Sequence, residues 1–211
     1  MKAYIFTGGS IAKENKNITE CPDKDSLVIA ADAGYATAIS LGVTPSVAVG
    51  DFDTLGECAF SRDTEVIRLP AEKDVSDTQA AIDIALDRGA DEIVIIGGLD
   101  GRLDHTMANL GLLSVLSRKG IPAVITDGRN RVRYLENSSA LVPKGGFKYI
   151  SLVCLGKRAR GVTLRGVKYP LEGATLSSDA PSLSISNEIV ENLALVSVKR
   201  GKMFIIESND K

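Results

Sequence analysis

From the first residues to about Gly128 the chain repeats one pattern: a short continuous apolar run, a Gly, Asp or Pro, then a stretch with apolar residues at helical spacing. The runs are AYIF, SLVIAAD, SVAVGD, EVIRLP, EIVIIGG and AVITDG. Their brevity and their Val and Ile content predict buried strands of a parallel sheet. SDTQAAIDIALDRGA places Ala81, Ile82, Ala85 and Leu86 on one side of a helix, with Ser76 and Gln79 in capping-box spacing and Gly89 to stop it. HTMANLGLLSVLSRKG predicts a longer helix, with Met107, Leu110, Leu113, Val115 and Leu116 apolar and Arg118 and Lys119 in its last turn. Such alternation implies a parallel sheet covered by helices on both faces.

After about residue 130 the pattern changes. RVRYLE, FKYISLVCL, GVTLRGV, SLSIS, NLALVSVKR and KMFIIES read as strands separated by Gly, Pro, Asn and Lys turns, several with period-two alternation and none separated by a helical stretch. The expected architecture is an α/β N-terminal domain with a mainly parallel sheet over residues 1–128, plus a C-terminal antiparallel all-β, sandwich-like domain over 129–211.

Composition narrows the partners. The chain has 211 residues, 44% of them hydrophobic, and a formal net charge of -2. It is large enough for one large or two small cores. A near-neutral balance without a basic stripe argues against nucleic acid as a ligand. Cys21, Cys58 and Cys154 are scattered, odd in number and form no C-x-x-C pair, so reduced structural thiols are expected. No apolar run reaches membrane-spanning length and MKAYIFTGGS lacks a signal-peptide pattern, so a soluble cytoplasmic protein without membrane contact is expected.

The acidic residues carry the chemistry. Ligands of open α/β sheets gather at the carboxyl ends of the strands. Asp32 ends SLVIAAD; Asp51 and Asp53 follow SVAVG; Lys73, Asp74 and Asp77 follow EVIRLP; Asp100, Arg102 and Asp104 follow EIVIIGG. In an extended segment residues i and i+2 share a side, so Asp51 and Asp53 are placed to bind one cation. Several carboxylates at one sheet edge repel one another unless a cation sits among them. Oxygen donors with few His or Cys suit Mg2+, which completes its shell with waters and substrate phosphates and so points to a nucleotide. Other readings stand beside these: Asp77 complements a helix N-terminus, Asp104 caps the helix beginning at His105, Asp51 and Asp53 suit a solvated turn, and His105 simply starts a helix.

The ordered set ADAG, GDFDT, LPAEKDVSDTQAAI, GGLDGRLDHTMANL, SISNE and GKMFIIES resembles the thiamine pyrophosphokinase family over essentially the whole chain. The resemblance implies transfer of a diphosphate group from ATP to the hydroxyl of thiamine, Mg2+ as cofactor, release of AMP, and a homodimer with active sites between subunits. It assigns Asp51, Asp53, Asp77 and Asp104 to the metal and diphosphate site, and Lys73 and Arg102 to neutralising phosphate charge. Asp32, Asp74, Asp100, His105 and Asn109 join the substrate-binding set through the same motifs, and Ser186 and Asn187 match the thiamine-side motif. Asp32 departs from relatives that carry a second glycine in this loop. Two rivals remain at this level: a haloacid-dehalogenase-like phosphatase, because DFDTL falls one residue short of D-x-D-x-T, and a non-enzymatic nucleotide-sensing module. Which Asp acts as general base, and how many metal ions are held, stays open.

Overall fold

The computed structural model describes residues 1–9, 11, 21–52, 60–70, 72 and 74–210, and Asp53, Cys58 and Lys73 lie outside them. The chain divides into two compact units, Met1–Gly128 and Arg129–Lys211.

In the first unit, β1 (Lys2–Phe6), β2 (Leu27–Ala31), β3 (Val47–Gly50), β4 (Glu65–Arg68), β5 (Glu92–Ile96) and β6 (Ala123–Thr126) pair in parallel in the order β4-β3-β2-β1-β5-β6. The helices are α1 (Gly34–Ser40), α2 (Asp77–Asp87) and α3 (Leu103–Arg118). The chain steps outward from β1 to β4, then returns across the sheet to β5 and on to β6. Right-handed crossovers then put α1 on one face and α2 and α3 on the other. Alternate residues confirm two buried faces: Tyr4, Phe6, Val28, Val94 and Ile96 pack with Ala38 of α1, while Ala3, Ile5, Ile29, Val47, Ile93 and Ile95 are fully buried on the opposite side. The apolar runs of β1, β2, β3, β5 and β6 are continuous because both faces are covered, whereas β4, expected from EVIRLP to be buried, is the edge strand and leaves Glu65, Val66 and Arg68 exposed.

In the second unit, β7 (Asn130–Glu136), β8 (Ser139–Pro143), β9 (Tyr149–Arg165), β10 (Leu171–Ser177), β11 (Leu193–Ser197) and β12 (Arg200–Ser208) pair in antiparallel order β7-β12-β9-β11-β8, with β10 also on β9. The 17-residue β9 joins the unit, because its first half pairs with β12 and its second half with β10 and β11. Val142, Ile150, Leu152, Val162, Leu164, Val196, Met203 and Ile205 form the core. Glu207 is buried there and forms ion pairs with Arg133 and, at 3.9 Å, with Arg131. A buried carboxylate stripped of both partners is costly.

The elements differ from the sequence expectation in four places. SLSIS is no strand: Pro181–Ser184 form a 3₁₀ turn, which Pro181 at its start favours by its fixed φ. FKYISLVCL and GVTLRGV are halves of the single strand β9, continuous through Gly156 and Gly161. β8 and β10 escape the pattern because one ends in Pro143 and the other carries Gly173 and register shifts. α1 is only two turns long, too short to show a period.

Gly34 opens α1 where a Cβ would overlap the Phe6 carbonyl oxygen, whereas exposed Gly111 inside α3 has open space around it. Gly34→Ala should cost at least about 1 to 3 kcal/mol in urea unfolding. Gly111→Ala should instead stabilise by about 0.5 to 1 kcal/mol.

Candidate active site

The strand order reverses between β1 and β5, since the chain leaves β1 toward β2 and leaves β5 toward β6. The crevice beyond the carboxyl ends at such a switch point is where open α/β sheets bind ligands. A cavity of about 780 Å³ lies there. Thr7, Gly8 and Gly9 line it from the end of β1, Asp32 from β2, Asp51 from β3, Gly98 and Asp100 from β5, and both α2 and α3 point their first turns into it.

The local backbone explains why these residues meet. Gly9 approaches Asp100 so closely that a Cβ would overlap the Asp100 carboxylate. Gly98 takes φ +72°, and a Cβ there would sit 2.6 Å from the Asn109 side-chain nitrogen. Asn109 is buried in α3 and its Nδ2 donates to the Gly98 carbonyl at 3.1 Å, tying the loop after β5 to the helix that follows it. Asp32 takes φ +46°, a left-handed conformation that Asp tolerates better than most side chains, so this loop functions without a second glycine. Its N–H donates to the Val49 carbonyl at 2.8 Å, and its own carbonyl accepts the Tyr35 N–H at 3.0 Å, anchoring the start of α1.

Phe52 takes φ +58°, an outlier for a bulky residue. It is held by burial and by an edge-on contact with Phe60, whose ring packs in turn on Tyr35 at 4.8 Å. The chain is therefore not extended through Phe52. Alternation of sides, the basis for expecting Asp51 and Asp53 to face one way, does not apply across this bend. Asp51 lines the cavity, and Asp53 lies outside the described residues.

α2 starts at Asp77, and its N-cap Ser76 accepts the Gln79 N–H at 3.2 Å, as the capping-box spacing suggests. α3 starts two residues earlier than expected, with Arg102 at the N-cap, so Asp104 is a first-turn residue rather than the cap. Asp104 forms a two-pronged pair with Arg102, Nη2 to Oδ2 at 2.6 Å and Nε to Oδ1 at 3.2 Å. That pairing holds its carboxyl below the usual carboxylate range. His105 is exposed on the same turn and its N–H donates to Asp104 Oδ1 at 3.0 Å.

The cavity thus collects Asp32, Asp51, Asp77, Asp100 and Asp104 against one arginine, Arg102, with a carboxylate oxygen of Asp32, Asp77 and Asp100 buried from solvent. Asp74 is exposed and does not line it, and Lys73 lies outside the described residues. Among the described residues no three Asp, Glu, His or Cys side chains form a ready-made metal cage. The donors are nevertheless all hard oxygens, and they fit Mg2+, which takes one or two carboxylates and shares the rest of its shell with water and phosphate. Thr7, Gly8 and Thr78 also line the cavity. TGGS after the first apolar run is the only trace of Thr7 and Gly8 in the sequence and matches no phosphate-loop pattern, while Thr78 lies in SDTQ beside Asp77.

Ser186 and Asn187 belong to the second unit. Ser186 is exposed at φ +56°, and its N–H donates to Ser151 Oγ at 2.9 Å. Asn187 is buried instead of presented to solvent. Its Nδ2 donates to the Tyr169 carbonyl at 2.7 Å, and its Oδ1 accepts the N–H groups of Tyr169 at 3.0 Å and Glu188 at 2.9 Å. The side chain clasps two loops, because an amide with donor and acceptor side by side satisfies a backbone N–H and C=O together.

Residues 18–125 match the family model of the thiamin pyrophosphokinase catalytic domain, and residues 139–203 match that of the thiamin pyrophosphokinase vitamin B1 binding domain. The chain is 30% identical over the full length of both sequences to the thiamine pyrophosphokinase of Bacillus subtilis. The crystal structure of a thiamine pyrophosphokinase from that organism superposes with a TM-score of 0.86 at 27% identity, covering all of both chains. A thiamin pyrophosphokinase family protein from Enterococcus faecalis superposes at 0.83, with 32% identity and the same full coverage.

Asn109→Ala should leave the buried Gly98 carbonyl without its side-chain donor. We expect a stability loss of about 1 to 3 kcal/mol by denaturant titration, accompanied by reduced turnover because the loop it fixes lines the cavity.

Proposed function

The chain belongs to the thiamine pyrophosphokinase family, whose reaction moves a diphosphate group from ATP to thiamine, and from that premise we propose that Asp51, Asp77 and their neighbours hold Mg2+ and the phosphates in the first unit. The observation that carries this reading is the cavity in which Asp32, Asp51, Asp77, Asp100 and Asp104 converge with Arg102 on two helix N-termini. When bound by Asp51, Asp53, Asp77 and Asp104, Mg2+ supplies positive charge to phosphate oxygens that the carboxylates alone would repel. Arg102 and Lys73 add positive charge from the protein itself. The first turns of α2 and α3 turn N–H groups and the positive ends of their dipoles toward the same space. Gly8 and Gly9 let backbone come close to a phosphate.

In the reaction the hydroxyl oxygen of thiamine bonds to the β-phosphorus of ATP and the bond from that phosphorus to the bridging α–β oxygen breaks, so AMP leaves. Most of the catalysis is positioning and charge neutralisation. The alcohol proton passes to a carboxylate of the cluster, and the same negative field favours the permanent cation of thiamine. Neither a phosphoryl-aspartate intermediate nor a purely sensing role is part of this reading, because family membership carries the acceptor along with the nucleotide.

The remaining assignments belong to the proposal too. Ser186 presents its hydroxyl to thiamine, and Asn187 is a positioning residue that holds the loop in shape. Exposed Leu183, Ile185 and Val190 surround this pair, an apolar surface suited to the thiamine rings and to a second subunit. We take the protein to act as a homodimer with active sites between subunits, with the second unit sandwich-like because β9 serves strands on both of its halves. Among the described residues no helix is long and apolar enough to cross a membrane, and Cys154 is a free thiol. A free thiol at Cys154 fits a cytoplasmic location.

Incubation with ATP, Mg2+ and thiamine should release AMP, resolved chromatographically from ADP, and EDTA should abolish the release; ADP as the product would overturn the reading. Asp51→Asn should lower turnover at least about tenfold with unfolding unchanged.

Asp77 offers a sharper separation. As a mere complement to the α2 dipole, it would contribute about 0.3 to 1 kcal/mol of stability and nothing to turnover. We expect Asp77→Asn to collapse turnover while the melting temperature holds or rises, because one member of a repelling cluster is removed. Turnover and melting temperature measured on one sample decide between the two.

A further inference from the structure

The second unit carries a groove of about 650 Å³ that the diphosphate-transfer reading does not use. Lys157, Arg158 and Arg160 line it from β9, and Arg200 and Lys202 from the start of β12, with Glu136 as the single carboxylate. The chain as a whole is slightly acidic at -2, so this concentration of positive charge is local. In the sequence these cations form no stripe; the pairing of β9 with β12 assembles them. Arg200 and Arg160 are direct cross-strand partners, and like charges directly opposite one another destabilise a sheet. Among the described residues none of the five cations has an ion-pair partner, while Arg88, Arg133, Arg165, Lys148 and Lys168 all do.

The groove is also rigidly built. Gly201 sits between Arg200 and Lys202 at φ +125°, where a Cβ would come within 2.7 Å of Ala159 Cα, so the strands approach closely between the cations. The register shifts by a bulge at this point, a device that re-aims side chains. Asn137, itself at φ +47°, latches the turn after β7 onto this place: its Oδ1 accepts the Gly201 N–H at 2.8 Å and its N–H donates to the Gly201 carbonyl at 3.1 Å. The Ser186 and Asn187 loop lies elsewhere in the unit. It bridges to Ile150, which pairs with Glu207 on β12, whereas the groove lies where Lys202 pairs with Leu155. Four residues of strand separate Ser151, which holds Ser186, from Leu155, and five separate Ile150 from it, about 13 to 17 Å.

We propose that this groove is a second anion site, separate from the catalytic cavity, that binds the di- or triphosphate group of a small molecule. Two arginines facing across a strand pair suit the forked geometry by which guanidinium groups hold phosphate oxygens. The volume suits a compact ligand. A patch confined to one groove of an acidic chain lacks the extended basic track of a nucleic-acid surface.

The test uses the full-length protein in EDTA, where the acidic cavity, deprived of metal, repels phosphates and the basic groove does not. Titration calorimetry with inorganic diphosphate, ATP and thiamine diphosphate in separate arms should give saturable binding of one molecule per chain, weakening as salt rises. The Arg160→Gln/Arg200→Gln double variant should lose at least tenfold in affinity while its ATP-to-AMP turnover with Mg2+ and thiamine stays unchanged. Diphosphate should raise the melting temperature of the unaltered protein and not that of the double variant. Equal binding in all three arms places recognition in the diphosphate alone, and preference for one arm identifies the ligand. Failure to saturate, several weak equivalents per chain, or equal affinity in the double variant overturns the proposal. Because turnover is read separately, a failed groove leaves the diphosphate-transfer reading untouched, and a failed turnover assay leaves the groove binding untouched.

Discussion

Repulsion among Asp32, Asp51, Asp77, Asp100 and Asp104, gathered in one cavity, is the constraint around which the first unit is arranged. Carboxylates gathered this closely call for positive charge beside them. The fold supplies part of that compensation from backbone alone, by turning the first turns of α2 and α3 into the same space, and part from Arg102, which grips Asp104 with two hydrogen bonds. In the proposed function the rest falls to Mg2+ and to the thiamine cation. The proposed site then takes a phosphate together with a cation, which suits an acceptor, thiamine, that itself carries a positive charge.

That concentration of charge needs a stiff frame, and the frame lies in unremarkable contacts. Gly34 sits against the Phe6 carbonyl, Asn109 holds the Gly98 carbonyl, and Phe52 is clamped in a left-handed conformation by Phe60. Each fixes a loop at the end of a different strand. The strained backbone at Asp32 and Phe52 flanks the cavity, and strain of this kind persists only where surrounding packing enforces it. The second unit applies the same economy to a different end: Asn187 spends its amide on clasping loops, which leaves Ser186 and the apolar residues beside it to face outward.

The sequence alone determined much of this. Continuous Val and Ile runs ending in Gly or Asp specify buried parallel strands, because nothing else buries both faces of so short a segment. Recurrence of Asp at the ends of those runs specifies where charge collects, because parallel strands all end on one edge. The Ser76 cap and the change of pattern near residue 130 were equally legible, since both depend on local chemistry and periodicity. Elements without a strong local signature were not: the two-turn α1, the Pro-ended β8, the Gly-containing β10, and the Pro181–Ser184 turn whose alternation imitated a strand.

Tertiary structure decided what depends on register and on side-chain competition. The Asn187 amide is turned to the backbone because Tyr169, eighteen residues away, arrives beside it. The left-handed turn at Phe52, which cancels the simple i and i+2 argument for Asp51 and Asp53, is held by tertiary packing, with Phe60 and Arg68 on that ring. Arg160 and Arg200 become neighbours only through the pairing of β9 with β12. Local periodicity encodes which faces are buried; it does not encode which distant residues meet, because that follows from strand order and register, which the whole chain fixes at once.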